Sequence, residues 1–164
     1  MADVTLEKIC NTNQEAFINL YNLFHHDRAA YVPDLYPAVD EAGYYDKANS
    51  LATLGVAPDK AQSYIIRYNG NIAGLIVFAF SPLLKAGFDY SIVDLFVLNN
   101  FRGKGIAGAA CKQLLRAYPG RYYVEVLAED AGARGYWERF IAEAGRLIKQ
   151  TKVDELLVAY EFVA

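Results

Sequence analysis

Seven consecutive residues, Arg102-Gly103-Lys104-Gly105-Ile106-Ala107-Gly108, carry the clearest chemical signal in this sequence. They separate an apolar run ending at Leu98 from an apolar helical pattern that begins near Gly105. A turn of successive N–H groups between a strand end and a helix start suits an anion, because free amides converge there and the helix dipole adds to them. Glycine lets a phosphate come close to the backbone, and Arg102 and Lys104 place cations at the rim. Spacing alone leaves two other readings open. One is a tight turn that binds nothing. The other is a dinucleotide site, since Gly103, Gly105 and Gly108 fit G-x-G-x-x-G and Glu125 stands near the acidic position wanted ~20 residues on. The loop, however, follows a hairpin rather than opening a βαβ half-sheet, and the phosphate-loop pattern ending in G-K-S/T is absent.

Two carboxylates stand in apolar strands. Asp94 is the one charged residue in IVDLFVL, Ile92 to Leu98. A carboxylate so placed has a raised pKa or a partner, which marks it for function or for a structural hydrogen bond to a neighbouring loop. Glu125, in YVEVL, has the same profile on the next strand. His25, His26 and Asp27 close the first helix, where two histidines serve the helix dipole more often than chemistry. They are too close together and too isolated for a metal site, and no metal is expected. Tyr31, Tyr36, Tyr44 and Tyr45 are candidates to wall a pocket, although any one of 13 tyrosines is a weak choice. Cys10 and Cys111 make neither a disulfide framework nor a cluster. Cys111 falls in the apolar helix pattern, and no histidine is spaced to activate it, so a cysteine nucleophile is not expected.

The elements that must position these residues follow from periodicity. Val4–Cys10 reads as a strand. TNQE, Thr12 to Glu15, reads as a capping box, and Phe17, Leu20, Tyr21 and Phe24 continue it as a helix to about Phe24 or His26. Residues 27–60, with Pro33, Pro37, Gly43, Gly55 and Pro58, read as short helical pieces and loops. Ser63–Tyr68, an Asn69-Gly70 type I′ turn and Asn71–Phe80 form a hairpin. Tyr90–Leu98 is a third strand, followed by the glycine turn and a helix to about Tyr118, stopped by Pro119-Gly120. Arg121–Leu127 is a strand. Ala133, Tyr136, Trp137, Phe140, Ile141 and Ala144 mark a helix that Asp130 is placed to cap and Gly145 to close. Arg146–Thr151 and Leu156–Phe162 form a last hairpin. The fold class is α/β (α+β), a single domain with a mixed, mostly antiparallel central sheet flanked by helices.

Bulk properties agree. A chain of 164 residues, 54% hydrophobic and 21% charged, buries a substantial core without staples. A net charge of −3 and no basic face argue against a nucleic-acid partner. The N-terminus lacks a signal-peptide layout, and the longest apolar run, Ile72–Phe80, is far short of the ~20 residues that span a bilayer. A soluble, cytoplasmic protein with no membrane partner is expected.

RGKGIA, Arg102 to Ala107, after the apolar strand Ile92–Leu98, resembles the R/Q-x-x-G-x-G/A signature of the GNAT superfamily of acyl-CoA-dependent N-acetyltransferases. EDAGARGYW, Glu129 to Trp137, is similar to the family's E-N-x-x-A-x-x-F/L-Y/W segment, and the order of elements agrees over residues 60–164. The resemblance implies an acyl-CoA-binding core over 61–164 and an acceptor side over 1–60. It implies that the N–H groups from Gly103 to Gly108, Ile106 and Ala107 included, hold the coenzyme A pyrophosphate. The strand edge at Phe96, Val97 and Leu98 would pair with the pantetheine arm, and the Val97 N–H would polarise the thioester carbonyl. Asp130 stands where many members have an Asn touching that arm. Trp137 stands where many have a Tyr that protonates the leaving thiolate. Indole cannot do so, and Tyr136 lies about 100° around the helix. A thiolate with an ordinary pKa near ~8.5 scarcely needs an acid.

On this resemblance the chain is expected to be an N-acetyltransferase moving an acetyl group from acetyl-CoA to a primary amine of a small molecule or peptide by direct attack. Asp94, Glu125 and Tyr136 are the candidates for proton transfer, and a homodimer is expected because relatives often dimerise. The alternative is a non-catalytic acyl-CoA-binding or sensing protein on the same fold.

Overall fold

The computed structural model describes residues 3–81 and 85–164. One seven-stranded sheet runs through it in the order β1-β2-β3-β4-β5-β7-β6. Its strands are β1 (Val4–Lys8), β2 (Ala61–Tyr68), β3 (Asn71–Phe80), β4 (Tyr90–Val97), β5 (Arg121–Leu127), β6 (Arg146–Lys152) and β7 (Leu157–Val163). Helices α1 (Gln14–Ala29) and α2 (Lys47–Leu54) lie over one face, and α3 (Ile106–Ala117) and α4 (Ala131–Ala144) over the other. The alternation of side chains along the strands makes two cores. Ile65, Leu75, Val77 and Phe96 pack on Phe17, Leu20 and Tyr21 of α1. Ile66, Ile76, Phe78, Val97 and Val124 pack under Leu114, Trp137 and Phe140 of α3 and α4. No helix among the described residues is long and apolar enough to cross a membrane.

Every neighbouring pair is antiparallel except β4 and β5, which run parallel and pair only at Tyr90 and Tyr122. Asp89 N–H reaches the Arg121 carbonyl at 2.9 Å, and beyond these contacts the strands part. β5 is paired along its whole length with β7 on its other side.

A second irregularity acts beside this gap. The β3–β4 register shifts between Val77 and Phe78, so that Val93 is an extra, unpaired residue on β4. Leu95 and Val97 side chains face α3 and α4, while Asp94 and Phe96 face α1. Without the bulge, alternation would put Ile92 on the α1 face; with it, Ile92 joins the α3–α4 core.

The strands and turns follow the sequence closely. Asn69 and Gly70 have φ of 49° and 80°, as a type I′ turn requires. Three expectations are corrected near the N-terminus. The first strand stops at Lys8 rather than Cys10. The capping box does not form: Asn13 precedes the helix, its Oδ1 accepts from Cys10 N–H, and Thr12 contacts the Cys10 thiol instead. The first helix continues past His26 to Ala29, because no breaker stands before Pro33.

β3 approaches β4 unusually closely at Gly74, where a Cβ would lie 2.0 Å from the Phe96 carbonyl oxygen. Gly74→Ala should therefore cost about 3 kcal/mol by chemical denaturation. Gly108→Ala, on helix α3 with open space around it, should leave stability unchanged or raise it by about 0.5–1 kcal/mol.

Candidate active site

The gap between β4 and β5 opens into a cleft of about 920 Å3 lined by β4, β5, the glycine turn, the end of α1 and the start of α4. Its polar character begins with the backbone. Leu98 N–H donates to Ala73 O at 2.8 Å, so Leu98 faces β3, and by ladder alternation Phe96 does too. Val97 and Leu95 therefore aim their N–H and C=O groups the other way, into the gap. On β5, Ala128 N–H is taken by Leu156 on the β7 side, leaving the backbone groups of Glu125 and Leu127 toward the same gap. Buried backbone groups need partners: the Val97 carbonyl accepts from Arg102 Nε and the Leu127 carbonyl from Asp130 N–H at 3.1 Å, while the Val97 N–H is left to solvent or a ligand. Of the three positions expected to offer edge amides, only Val97 does; Phe96 and Leu98 spend theirs on β3.

The glycine turn supplies a second set of free donors. Gly103 and Gly105 both have φ of +75°, a left-handed conformation that a side chain would strain, and a Cβ at either would meet nothing within 4 Å. The N–H groups from Gly103 to Gly108 make no hydrogen bond among the described residues. Six amides at the start of a twelve-residue helix, around an open space, are shaped for a phosphate. The flanking cations are placed differently from expectation. Arg102 Nε donates to the Val97 carbonyl at 2.8 Å and its guanidinium pairs with Asp27. Lys104 lies over the Tyr68 and Phe101 rings. Arg102 still lines the cleft, and the sequence order reveals the partners of neither cation.

The other face of β4 carries the charged chemistry. Asp94 is 8% exposed, accepts a short hydrogen bond from the Tyr21 hydroxyl, and has an Arg28 Nη1 at 3.7 Å. Burial raises its pKa above the ordinary 3.8, while the Tyr21 hydrogen bond and the Arg28 charge pull the other way. Burial and the neighbouring Asp94 charge likewise hold Tyr21 firmly protonated. Tyr21 and Arg28 were not singled out from the sequence. The signal available was their spacing, since Tyr21, Phe24 and Arg28 fall at i, i+3, i+7 on the apolar face of α1.

The remaining candidates separate. Glu125 lines the cleft but is exposed rather than buried like Asp94, and accepts from the Tyr123 hydroxyl at 2.7 Å. Tyr136 has its hydroxyl sealed beside the Cys111 thiol without a well-formed hydrogen bond, and burial pushes its pKa upward. Tyr136 lines the cleft, but its hydroxyl is shielded from solvent. Asp130 caps α4 through Ala133 N–H at 2.9 Å, and Trp137 is buried along the cleft wall. His25 is not a solvated helix-end residue: it is 1% exposed between Tyr21 and Tyr36, and burial lowers its pKa. His26, whose Nδ1 lies 3.0 Å from the Tyr45 hydroxyl, lines the cleft, as does Tyr31; Tyr36, Tyr44 and Tyr45 stand behind them. No group of three or more His, Cys, Asp or Glu among the described residues is placed to hold a metal ion.

Asp94 can accept a proton from a group in the cleft once ionised, and its ionisation is tuned by Tyr21. Tyr21→Phe removes a hydrogen bond to the charged form and should raise the Asp94 pKa by about one unit or more. A carboxyl NMR titration that finds no rise would contradict this geometry.

The model of the Acetyltransferase (GNAT) family matches residues 17–141. A search of curated proteins finds no match. Among solved structures, an acetyltransferase from Thermus thermophilus superposes with a TM-score of 0.68 at 17% identity, covering 98% of this chain and 97% of that one. A histone acetyltransferase HPA2 and related acetyltransferase from Corynebacterium glutamicum gives 0.71 at 14% identity, over 96% and 94%. The spermidine N-acetyltransferase of Vibrio cholerae, in complex with CoA and spermine, gives 0.62 at 13% identity, over 97% and 94%. With most of the chain matched, this protein belongs to the GNAT family of acetyltransferases.

Proposed function

We propose that this chain transfers an acetyl group from acetyl-CoA to the primary amine of a small molecule or peptide, by direct attack of the amine on the thioester. The observation that carries the reading is the pair of free backbone donor sets, Val97 on the parted edge of β4 and Gly103–Gly108 in the turn that follows. The residues fit the donor: the six turn amides would hold its pyrophosphate, and the β4 edge its pantetheine arm. Bound acetyl-CoA supplies the activated acyl carbon and a thiolate leaving group. The Val97 N–H stabilises the negative charge that grows on the carbonyl oxygen, an oxyanion-type contribution. Asp94, ionised and on the opposite face of the same strand, takes the proton that the attacking ammonium must lose. Glu125 is the second candidate for that role, through water, from the β5 side. Tyr136 is set aside as acid because its hydroxyl is enclosed, and the low basicity of the thiolate makes an acid dispensable.

Two measurements test this. Acetyl-CoA at about 100 times its dissociation constant should stabilise the protein by roughly 2.7 kcal/mol, with NAD and ATP giving no comparable effect. No stabilisation would remove the reading. Asp94→Asn should keep the stabilisation by acetyl-CoA and lose about 10²–10⁴-fold in turnover. The wild-type rate should rise with pH through a pKa above 3.8, since burial raises the folded value and the ionised form is the base.

A further inference from the structure

Arg28 is the feature of the cleft that the transfer reaction does not use. It lines the opening on the α1 side, 27% exposed, with its guanidinium over the Phe24 ring. Among the described residues its side chain makes no hydrogen bond: its Nε is shielded from solvent and unpartnered, and the Asp94 oxygen at 3.7 Å is too far for one. A guanidinium offers five N–H donors in a planar fork that matches a carboxylate. Of the other two arginines that line the cleft, Arg102 is already committed to Asp27 and the Val97 carbonyl, and Arg139 stands on α4. Arg28 is therefore a counter-ion of the buried carboxylate whose N–H donors are not hydrogen-bonded.

We propose that the acceptor is a free amino acid, or a close analogue with an amine and a carboxylate on one carbon. This rests on the acetyltransferase reading of the cleft. The ligand lies across the Arg28–Asp94 pair as its charge complement, with the ammonium on Asp94 and the carboxylate on the Arg28 fork. Proximity of the two protein charges matches the proximity of the two ligand charges, and a half-buried setting strengthens both contacts. After the ammonium gives its proton to Asp94, the amine nitrogen forms the new bond to the acyl carbon. The carbon–sulfur bond breaks, its electron pair leaves with the thiolate, and the nitrogen gives its second proton to that thiolate as the amide forms. Acceptors without the carboxylate lose the Arg28 contact. Polyamines bring a second positive charge toward Arg28, and peptide N-termini present a neutral amide there.

The test compares kcat/KM for a panel of free amino acids with their carboxamides, which keep the side chain and amine but lack the negative charge. Spermidine and a short peptide serve as further acceptors. At least one free amino acid should exceed its carboxamide and both other acceptors by tenfold or more. In Arg28→Gln that acid-to-carboxamide ratio should fall at least tenfold, and Arg28→Lys should recover part of it. Loss of Asp94's counter-ion changes both acceptors of a pair alike and cancels in the ratio, so a merely structural Arg28 would leave the ratio unmoved. Equal use of acid and carboxamide, preference for the polyamine or peptide, or a ratio that survives Arg28→Gln would overturn the assignment. Acetyl-CoA stabilisation, measured on the same samples, separates the failures. If it persists while no amino acid is acetylated, the acceptor assignment alone falls; if it is missing, the acetyltransferase reading falls too.

Discussion

β4 and β5 hold together at Tyr90 and Tyr122 and then diverge, and the functional geometry depends on that parting. A parallel pair continued to Val97 would bind the β4 edge amides to β5, and no cleft would exist. Divergence leaves the backbone groups of Leu95, Val97, Glu125 and Leu127 without ladder partners in the middle of a sheet. Such groups are costly to bury unsatisfied, so the opening must stay wet or hold a ligand that is rich in amides. The sheet tolerates this because each strand is secured on its far side, β4 by β3 and β5 by β7. Arg102 closes part of the gap by taking the Val97 carbonyl while leaving its N–H free.

The bulge at Val93 makes the same strand serve two faces. It lets Ile92 and Val97 pack under α3 and α4 while Asp94 turns toward α1, where Tyr21 and Arg28 meet it. The open amide edge and the buried carboxylate thereby belong to one strand, the first facing the gap and the second facing α1. Burial and two partners acting in opposite directions set the state of Asp94. Desolvation favours the neutral acid, and the Tyr21 hydroxyl and Arg28 charge favour the carboxylate. A carboxylate so placed is more basic than a surface aspartate.

Much of this was legible in the residues themselves. Asn69-Gly70 fixed the hairpin because only a primed turn suits two residues with positive φ. The glycines of the turn marked a stretch of open backbone, and Asp94 stood out as a charge in an apolar strand. What the sequence could not carry is long-range. Ile92 and Val93 are both apolar, so nothing in their pattern marks a bulge. Arg102 looked like a phosphate cation because its partners, Asp27 and the Val97 carbonyl, are supplied by the tertiary fold. Arg28 and Tyr21 were hidden in a helix pattern that reads as core, and the enclosure of the Tyr136 hydroxyl depends on Cys111 from a different helix.

Amide hydrogen exchange with and without coenzyme A addresses the central claim most directly. The cleft assigns the free donors to Val97 and to Gly103–Gly108, whereas Phe96 and Leu98 are already bonded to β3. Coenzyme A should therefore slow exchange at Val97 and across the glycine turn, leaving the Phe96 and Leu98 amides as protected as before. Unchanged exchange in the turn, or new protection confined to another part of the sheet, would contradict the account.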